Sequence, residues 1–375
     1  MKLSLRKLIF GIITSSGIIL LIESALRIGG FPHGYFAGFF FPEKGQYPKN
    51  SEIHMNWGPF PYVVRSNNVG LRGDDVSIPK KAGTKRIVTI GDSVTDGYFV
   101  DNENTWQYFL NQILNNKSDN NYEVVNCARG GGSIDVALYQ FREYAIPLDP
   151  DIVLLTFVSN DIADILDRRA SELINYKRNQ DSSLRTDILK FFLTQTAIGE
   201  LCYDSYLKLI SRSYRARNEI IKKSQEERYN LPGSLDFNNN ARLFLKRFGM
   251  TDGLVLGNEF DNRTLNAMQI YFDLLGRIAD ECKSKNIKLI FIYFPAYSQI
   301  YLPDSPTLIN EILKEECIRL NVEFIDLTEG FRAAAKKGKA LHLTPIDYHL
   351  NPVGNEIFAQ LLATHLIEIE QKLRK

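Results

Sequence analysis

Cysteine and histidine are scarce in this chain of 375 residues, with four of the first and five of the second. Each shortage excludes something. Cys127, Cys202, Cys282 and Cys317 stand far apart, without the close pairs of a zinc knuckle or a small disulfide scaffold, and read as small buried hydrophobes. Net charge is lacking too, because 45 Lys and Arg against 44 Asp and Glu leave a formal +1. No whole-molecule field then draws the chain to nucleic acid or an anionic surface, and no nucleic-acid partner is expected. What is present is a hydrophobic content of 44%, ample for a packed core in one large domain or two small ones.

Charge is absent altogether from 8–22, "LIFGIITSSGIILLI", which follows Lys2, Arg6 and Lys7. At about 1.5 Å per residue that run spans roughly 22 Å of helix, short of the roughly 30 Å hydrocarbon core of a bilayer. Extending the helix to Ile28 closes the gap and sets Glu23 and Arg27 four apart on one face, able to pair. Cutting after Ala25 would place Glu23 at a position that wants a small residue. The reading is therefore an uncleaved transmembrane helix over 1–28, with a cleaved, secreted form as the alternative. Basic residues ahead of the span orient the N-terminus to the cytoplasm and the remainder outside.

Residues 29–84 are rich in Gly, Pro and aromatics and cannot form one long helix. They are expected to connect the membrane to a folded body, with a strand or two near 62–65 and an aromatic cluster at 36–41. From 85 onwards, short apolar runs at 86–91, 122–128, 151–158, 288–294 and 322–327 alternate with helical patterns near 103–116, 134–145, 264–285, 307–320 and 352–372. The runs are almost continuously apolar, as strands covered on both faces must be. The alternation predicts an α/β domain over 85–375, a three-layer α/β/α sandwich around a parallel five-stranded sheet. About a hundred residues at 163–263 interrupt it as a helical insertion without an internal repeat, read either as a lid or as an excursion with no catalytic part.

Ser93 falls two residues past the first of these strands, in "IGDSVTDG", and ligands of open parallel sheets bind beyond the carboxyl ends of the strands. A serine hydroxyl attacks nothing unaided, so a nucleophilic Ser93 requires a histidine within hydrogen-bonding reach and a third group to orient it. Of His33, His54, His342, His349 and His365, the strongest candidate is His349 in "DYHLNPVG". Asn351 and Pro352 read as the N-cap and first residue of the last helix, and Asp347 stands near enough to orient the imidazole. Asp92 and Asp96 read as turn and capping groups, and Asp161 as a capping or loop carboxylate.

Four blocks, "IGDSVTDG", "NCARGGGS", "SND" at 159–161 and "DYHLNPVG", in that order over about 85–366, resemble those of the SGNH, or GDSL, hydrolase superfamily. The resemblance implies a flavodoxin-like fold with Ser93 as nucleophile, His349 as base and Asp347 as its orienting carboxylate. It also implies an oxyanion hole made by the backbone N–H groups of Ser93 and Gly131 and the side-chain amide of Asn160, with no metal and no cofactor. The chain departs from the family pattern in carrying Val94 for the usual leucine, Val158 for a glycine, and an Asp–His spacing of two instead of three.

On this footing the expected function is hydrolysis of small-molecule, lipid or glycan esters outside the cytoplasm, through an acyl-enzyme. Transfer of the acyl group to a sugar hydroxyl uses the same triad and remains open. A different enzyme class, a metal-dependent phosphoesterase, would treat Asp92, Asp96, Asn160, Asp161 and Asp347 as oxygen ligands, yet few histidines accompany them. A phosphate loop is excluded, because "GDSVTDG" lacks the lysine such loops carry. The third reading is a non-catalytic, membrane-tethered binding domain on the same scaffold.

Overall fold

The computed structural model describes residues 5–29, 47–55, 62–117, 121–166, 255–302, 304–343 and 348–373, with 192, 196–199, 201–202, 205 and 209. Asp347, the aromatic cluster at 36–41 and most of the insertion at 163–263 lie outside the described residues. Strands β1 (Glu52–Met55) and β2 (Tyr62–Arg65) pair antiparallel as a small ribbon. A separate sheet is built from β3 (Thr84–Ile90), β4 (Asn121–Asn126), β5 (Ile152–Phe157), β6 (Lys288–Tyr293) and β7 (Glu323–Asp326). All its pairings are parallel, and these strands occupy the five apolar runs within a few residues at each end.

The helices, in chain order, begin with α1 (Leu5–Ile28), α2 (Ser93–Asp96), α3 (Trp106–Lys117), α4 (Ile134–Gln140) and α5 (Asp161–Leu166). They continue with α6 (Asn262–Ser284), α7 (Tyr297–Tyr301), α8 (Leu308–Arg319), α9 (Thr328–Lys336) and α10 (Pro352–Leu373). Strand periodicity divides the side chains between two cores. Val153, Leu155 and Phe157 of β5 enter one core with residues of α4, α6 and α8, while Ile152 and Leu154 enter the other with residues of α3, α9 and α10. Helices therefore cover both faces, which is why the central strands β5 and β6 read as nearly unbroken apolar runs.

Strand order across the sheet is β4-β3-β5-β6-β7. The chain steps from β3 to one side, then returns past it to β5. The crevice beyond the carboxyl ends of β3 and β5 is thus the point where strand order reverses and where such sheets bind ligands. Helix α10 is fastened across α3: Trp106 stacks on Phe358 at 4.6 Å, and its backbone N–H donates to Asn355 Oδ1 at 3.1 Å. That clamp carries the segment just before α10 to the same end of the sheet.

The N-terminal run forms the expected helix, 24 residues long. Arg27 Nε donates to Glu23 Oε1 at 2.8 Å, the pair its four-residue spacing predicts. The same carboxylate accepts the N–H groups of Ala197 and Ile198, joining α1 to a described turn of the insertion. Phe10, Ile13, Leu20 and Leu21 of α1 are each more than half exposed. Among the described residues, no helix is long and apolar enough to cross a membrane, so a transmembrane span is not a feature the structure establishes.

The segment ahead of β3 proves to be more than a connection. Arg72 is buried, and its guanidinium donates to the carbonyls of Asp96 at 3.0 Å and Gly97 at 2.7 Å, and to that of Val100. Its Nε donates to Asn102 Oδ1, while Asn102 also binds the backbone of Arg65 in β2. The ribbon and the turn that carries Ser93 are one packed unit.

Candidate active site

Ser93 opens α2, a single turn at the end of β3. Asp92 is its N-cap, with Oδ1 accepting the Val94 N–H at 2.9 Å. Gly97 ends the turn at φ 87, and its N–H returns to the Ser93 carbonyl at 3.0 Å. Only glycine takes that conformation without strain, and a Cβ there would also meet Thr105 Cγ2 at 2.8 Å. The turn thus holds Ser93 in one place, nearly buried.

His349 arrives from the other end of the chain. Residues on either side of it form a short antiparallel closure, in which Leu343 N–H donates to His349 O at 2.9 Å and Asn351 N–H to Leu341 O at 3.1 Å. Asn351 caps α10 as read from the sequence, its Oδ1 accepting Gly354 N–H at 2.9 Å. His342, also buried, anchors the closure through a 3.0 Å hydrogen bond between its Nδ1 and the Tyr301 hydroxyl. The result is a 2.8 Å hydrogen bond between His349 Nε2 and Ser93 Oγ, across 256 residues of sequence.

Two further loops follow β4 and β5, the strands on either side of β3. Gly131, after β4, is exposed at φ 90, a conformation that suits glycine. Asn126, five residues earlier, ties this loop down: its Nδ2 donates to the carbonyls of Thr95 and Asp96, each at 3.2 Å. Asn160, after β5, donates one N–H to Asp164 Oδ2 at 2.9 Å, and the amide keeps a second N–H. Asp161 accepts the Val158 N–H through Oδ2 at 3.2 Å, the loop-bracing part expected of it.

Of the other histidines, His54 is exposed beside Glu52, His365 is exposed on α10, and His33 lies outside the described residues, as does Asp347.

Some of the machinery was not read from the sequence. Gln140 is fully buried and pairs with both backbone groups of Gly91, accepting its N–H and donating to its carbonyl at 3.1 Å each; it also reaches the Arg129 carbonyl at 3.4 Å. It links the strand end before Ser93 to the glycine loop. Asp96 is more than a turn former, since it is fully buried and its Oδ2 accepts the Gly130 N–H at 3.1 Å. The only sequence sign of either was a polar residue among apolar or glycine neighbours.

Burial pushes the Asp96 carboxyl up to about 7, with Arg72 opposing. Burial likewise raises Asp92, where the neighbouring His349 opposes it, and raises Asp161, where the Asp92 charge adds to the effect. Because the folded Asp96 holds its proton more tightly than an unfolded one, its contribution to stability is full below about pH 4 and declines as pH rises towards 7. Asp96→Asn keeps an acceptor for Gly130 and removes the ionisation. Relative to wild type, the variant is expected to gain about 3 kcal/mol between pH 5 and pH 8, read from urea denaturation at both values. An unchanged difference would show that Asp96 ionises as it would in water.

A serine hydroxyl bonded to an imidazole beyond the carboxyl ends of a parallel sheet is the arrangement of a serine-dependent hydrolase. Residues 89–232 match the model of the GDSL-like Lipase/Acylhydrolase family, a stretch that includes Ser93, Gly131 and Asn160 and ends before His349. Over that stretch the chain is similar to the GDSL-like lipases and acylhydrolases, and the match supports a hydrolase of carboxylic esters. No curated protein matches it in sequence. Similar solved structures include the acetyl xylan esterase AlAXEase, 14% identical over 75% of this chain and 98% of that one, with a TM-score of 0.40. The lipase/acylhydrolase from Enterococcus faecalis is 15% identical over 75% and 95%, with a TM-score of 0.39. The esterase EstA from Pseudoalteromonas sp. is 11% identical over 78% and 100%, also at 0.39.

Proposed function

We propose that the protein cleaves the acyl group from an esterified glycan or lipid of the cell envelope through an acyl-enzyme on Ser93. The observation that carries this reading is the 2.8 Å hydrogen bond between Ser93 Oγ and His349 Nε2 at the strand-order switch. His349 takes the Ser93 proton as Oγ adds to the ester carbonyl, and returns it to the departing alcohol as the tetrahedral intermediate collapses. Water, deprotonated by the same imidazole, then releases the acid and restores the serine. Negative charge on the intermediate is met by the N–H groups of Ser93 and Gly131 and by the second N–H of Asn160. Asp347, two residues ahead of His349, is proposed to orient the imidazole.

The envelope assignment rests on α1. Its exposed Phe10, Ile13, Leu20 and Leu21 favour a lipid environment, and basic Lys2, Arg6 and Lys7 favour the cytoplasmic side for its start. On this reading 1–28 direct the chain to the membrane, as an anchor or as a cleaved secretion signal, 29–84 lead to the body, and 85–375 act outside the cytoplasm.

The test is turnover of p-nitrophenyl esters of increasing acyl length by the full chain in detergent, with fluorophosphonate labelling located by mass spectrometry. Label on Ser93 with ester turnover supports the reading; label elsewhere, or turnover without labelling of Ser93, removes it. A steep fall beyond acetate points to deacetylation, and a rise with chain length to a lipase. Asn160→Ala is expected to lower kcat about 100- to 1000-fold with little change in KM, since its second N–H would act on charge that develops only in the transition state. A loss under threefold would take Asn160 out of the oxyanion hole.

A further inference from the structure

His349 is surrounded by aromatic rings. The Tyr348 ring lies 4.7 Å from the imidazole, centroid to centroid, and within 20° of parallel to it; the Tyr98 ring lies at 5.7 Å and 27°. Phe99 meets the same imidazole edge-on at 5.1 Å. Phe99 takes φ 65, unusual for a residue with a side chain, and Arg72 pins the turn around it through the carbonyls of Gly97 and Val100. Tyr98 and Phe99 are therefore held in place by the body of the protein. Tyr98 and Tyr348 are only partly buried, whereas the imidazole between the serine and these rings is almost fully buried.

A buried imidazole is a poor base unless something favours its charged form, because burial opposes the charge it gains on taking the serine proton. Among the described residues, titratable groups near the ring include Asp92 and Asp96 at the two ends of α2, with Arg72 and Arg129 facing Asp96 from other segments. Both carboxylates accept backbone N–H groups, Asp92 from Val94 and Asp96 from Gly130. An aromatic face attracts a cation within about 6 Å of its centroid, worth about 0.5–2 kcal/mol.

We infer that Tyr98 and Tyr348 are positioning residues whose ring faces hold the His349 imidazole flat and stabilise its charged form as it takes the Ser93 proton. This rests on the acyl-enzyme reading above. The two rings would add to the effect of an orienting carboxylate by acting on the other atoms of the imidazole.

The readout is the pH profile of kcat/KM, whose acid limb reports the base in the free enzyme. Tyr98→Leu and Tyr348→Leu are each expected to move that limb down by about half to one pH unit and to lower the plateau about three- to thirty-fold. Tyr98→Phe and Tyr348→Phe keep the ring and should leave the limb in place. Fluorinated phenylalanines at position 348 preserve its shape while draining the ring face of electron density, so successive fluorines should step the limb downwards even if a leucine variant fails to fold. A limb that stays within about 0.2 units across the fluorine series, or phenylalanine variants that fall as far as the leucines, would overturn the inference. Fluorophosphonate labelling separates the two layers of argument. A wild type unlabelled at Ser93 fails the acyl-enzyme reading, whereas labelling with an unmoved limb fails only the role of the rings.

Discussion

Ser93→Ala is expected to lower kcat for a p-nitrophenyl ester by about 10⁴- to 10⁶-fold, and His349→Ala to lower it to a similar floor. Neither group works without the other: an unassisted hydroxyl is too weakly acidic to attack, and an imidazole without the serine has no nucleophile to activate. The double variant should therefore be scarcely worse than either single one. A residual rate over water would remain, because oxyanion donors and substrate binding survive both changes. The losses should fall on kcat more than on KM, since both side chains act on the reacting atoms. Steady-state kinetics of the three variants and wild type provide the measurement. Retention of more than about a tenth of the activity by either single variant would remove that residue from the chemistry, and additive losses would show that the 2.8 Å hydrogen bond does not join them in one step.

Arg72→Met is expected to cost about 3–5 kcal/mol, the largest stability effect foreseen here. Methionine approximates the volume of the arginine stem and so isolates the guanidinium. Its removal leaves the carbonyls of Asp96, Gly97 and Val100 without this donor in a buried setting, and also frees Asn102 from one partner. Lysine should not rescue it, because a single ammonium cannot reach the several acceptors that a planar guanidinium fork meets at once. For the same reason a version of the protein starting at residue 85 should fail to fold stably, although the apolar strand pattern begins there. Urea denaturation of Arg72→Met and Arg72→Lys would check this. A loss below about 1 kcal/mol in the methionine variant would mean that the carbonyls find other donors and that the ribbon is dispensable.

These two results bear on different kinds of information in the chain. The central strands β5 and β6 were legible because a strand buried on both faces must be apolar at nearly every position, and β3, β4 and β7 kept enough apolar residues to show the same run in a short window. The turn at Ser93 and the cap at Asn351 were legible for a similar reason, since Asp92 and the Asn351–Pro352 pair each meet a local need of the backbone. The part of Asp96 was not legible, because a carboxylate after a strand looks like a turn former until Gly130 is seen to donate to it. Arg72 was hidden in the same way. It lies in a stretch with little periodicity, and the carbonyls it satisfies belong to residues 24 to 28 positions further on.

What the sequence by itself determined is therefore what neighbours along the chain decide: the alternation of strand and helix, the turn that carries Ser93, and the capped helix behind His349. Only the tertiary structure decided that His349 meets Ser93, that Arg72 closes the turn from behind, and that Tyr98 and Tyr348 flank the imidazole. Backbone geometry and side-chain periodicity act over a few residues and leave a local trace, whereas contacts between distant segments arise from the packing of whole layers, which no short window contains.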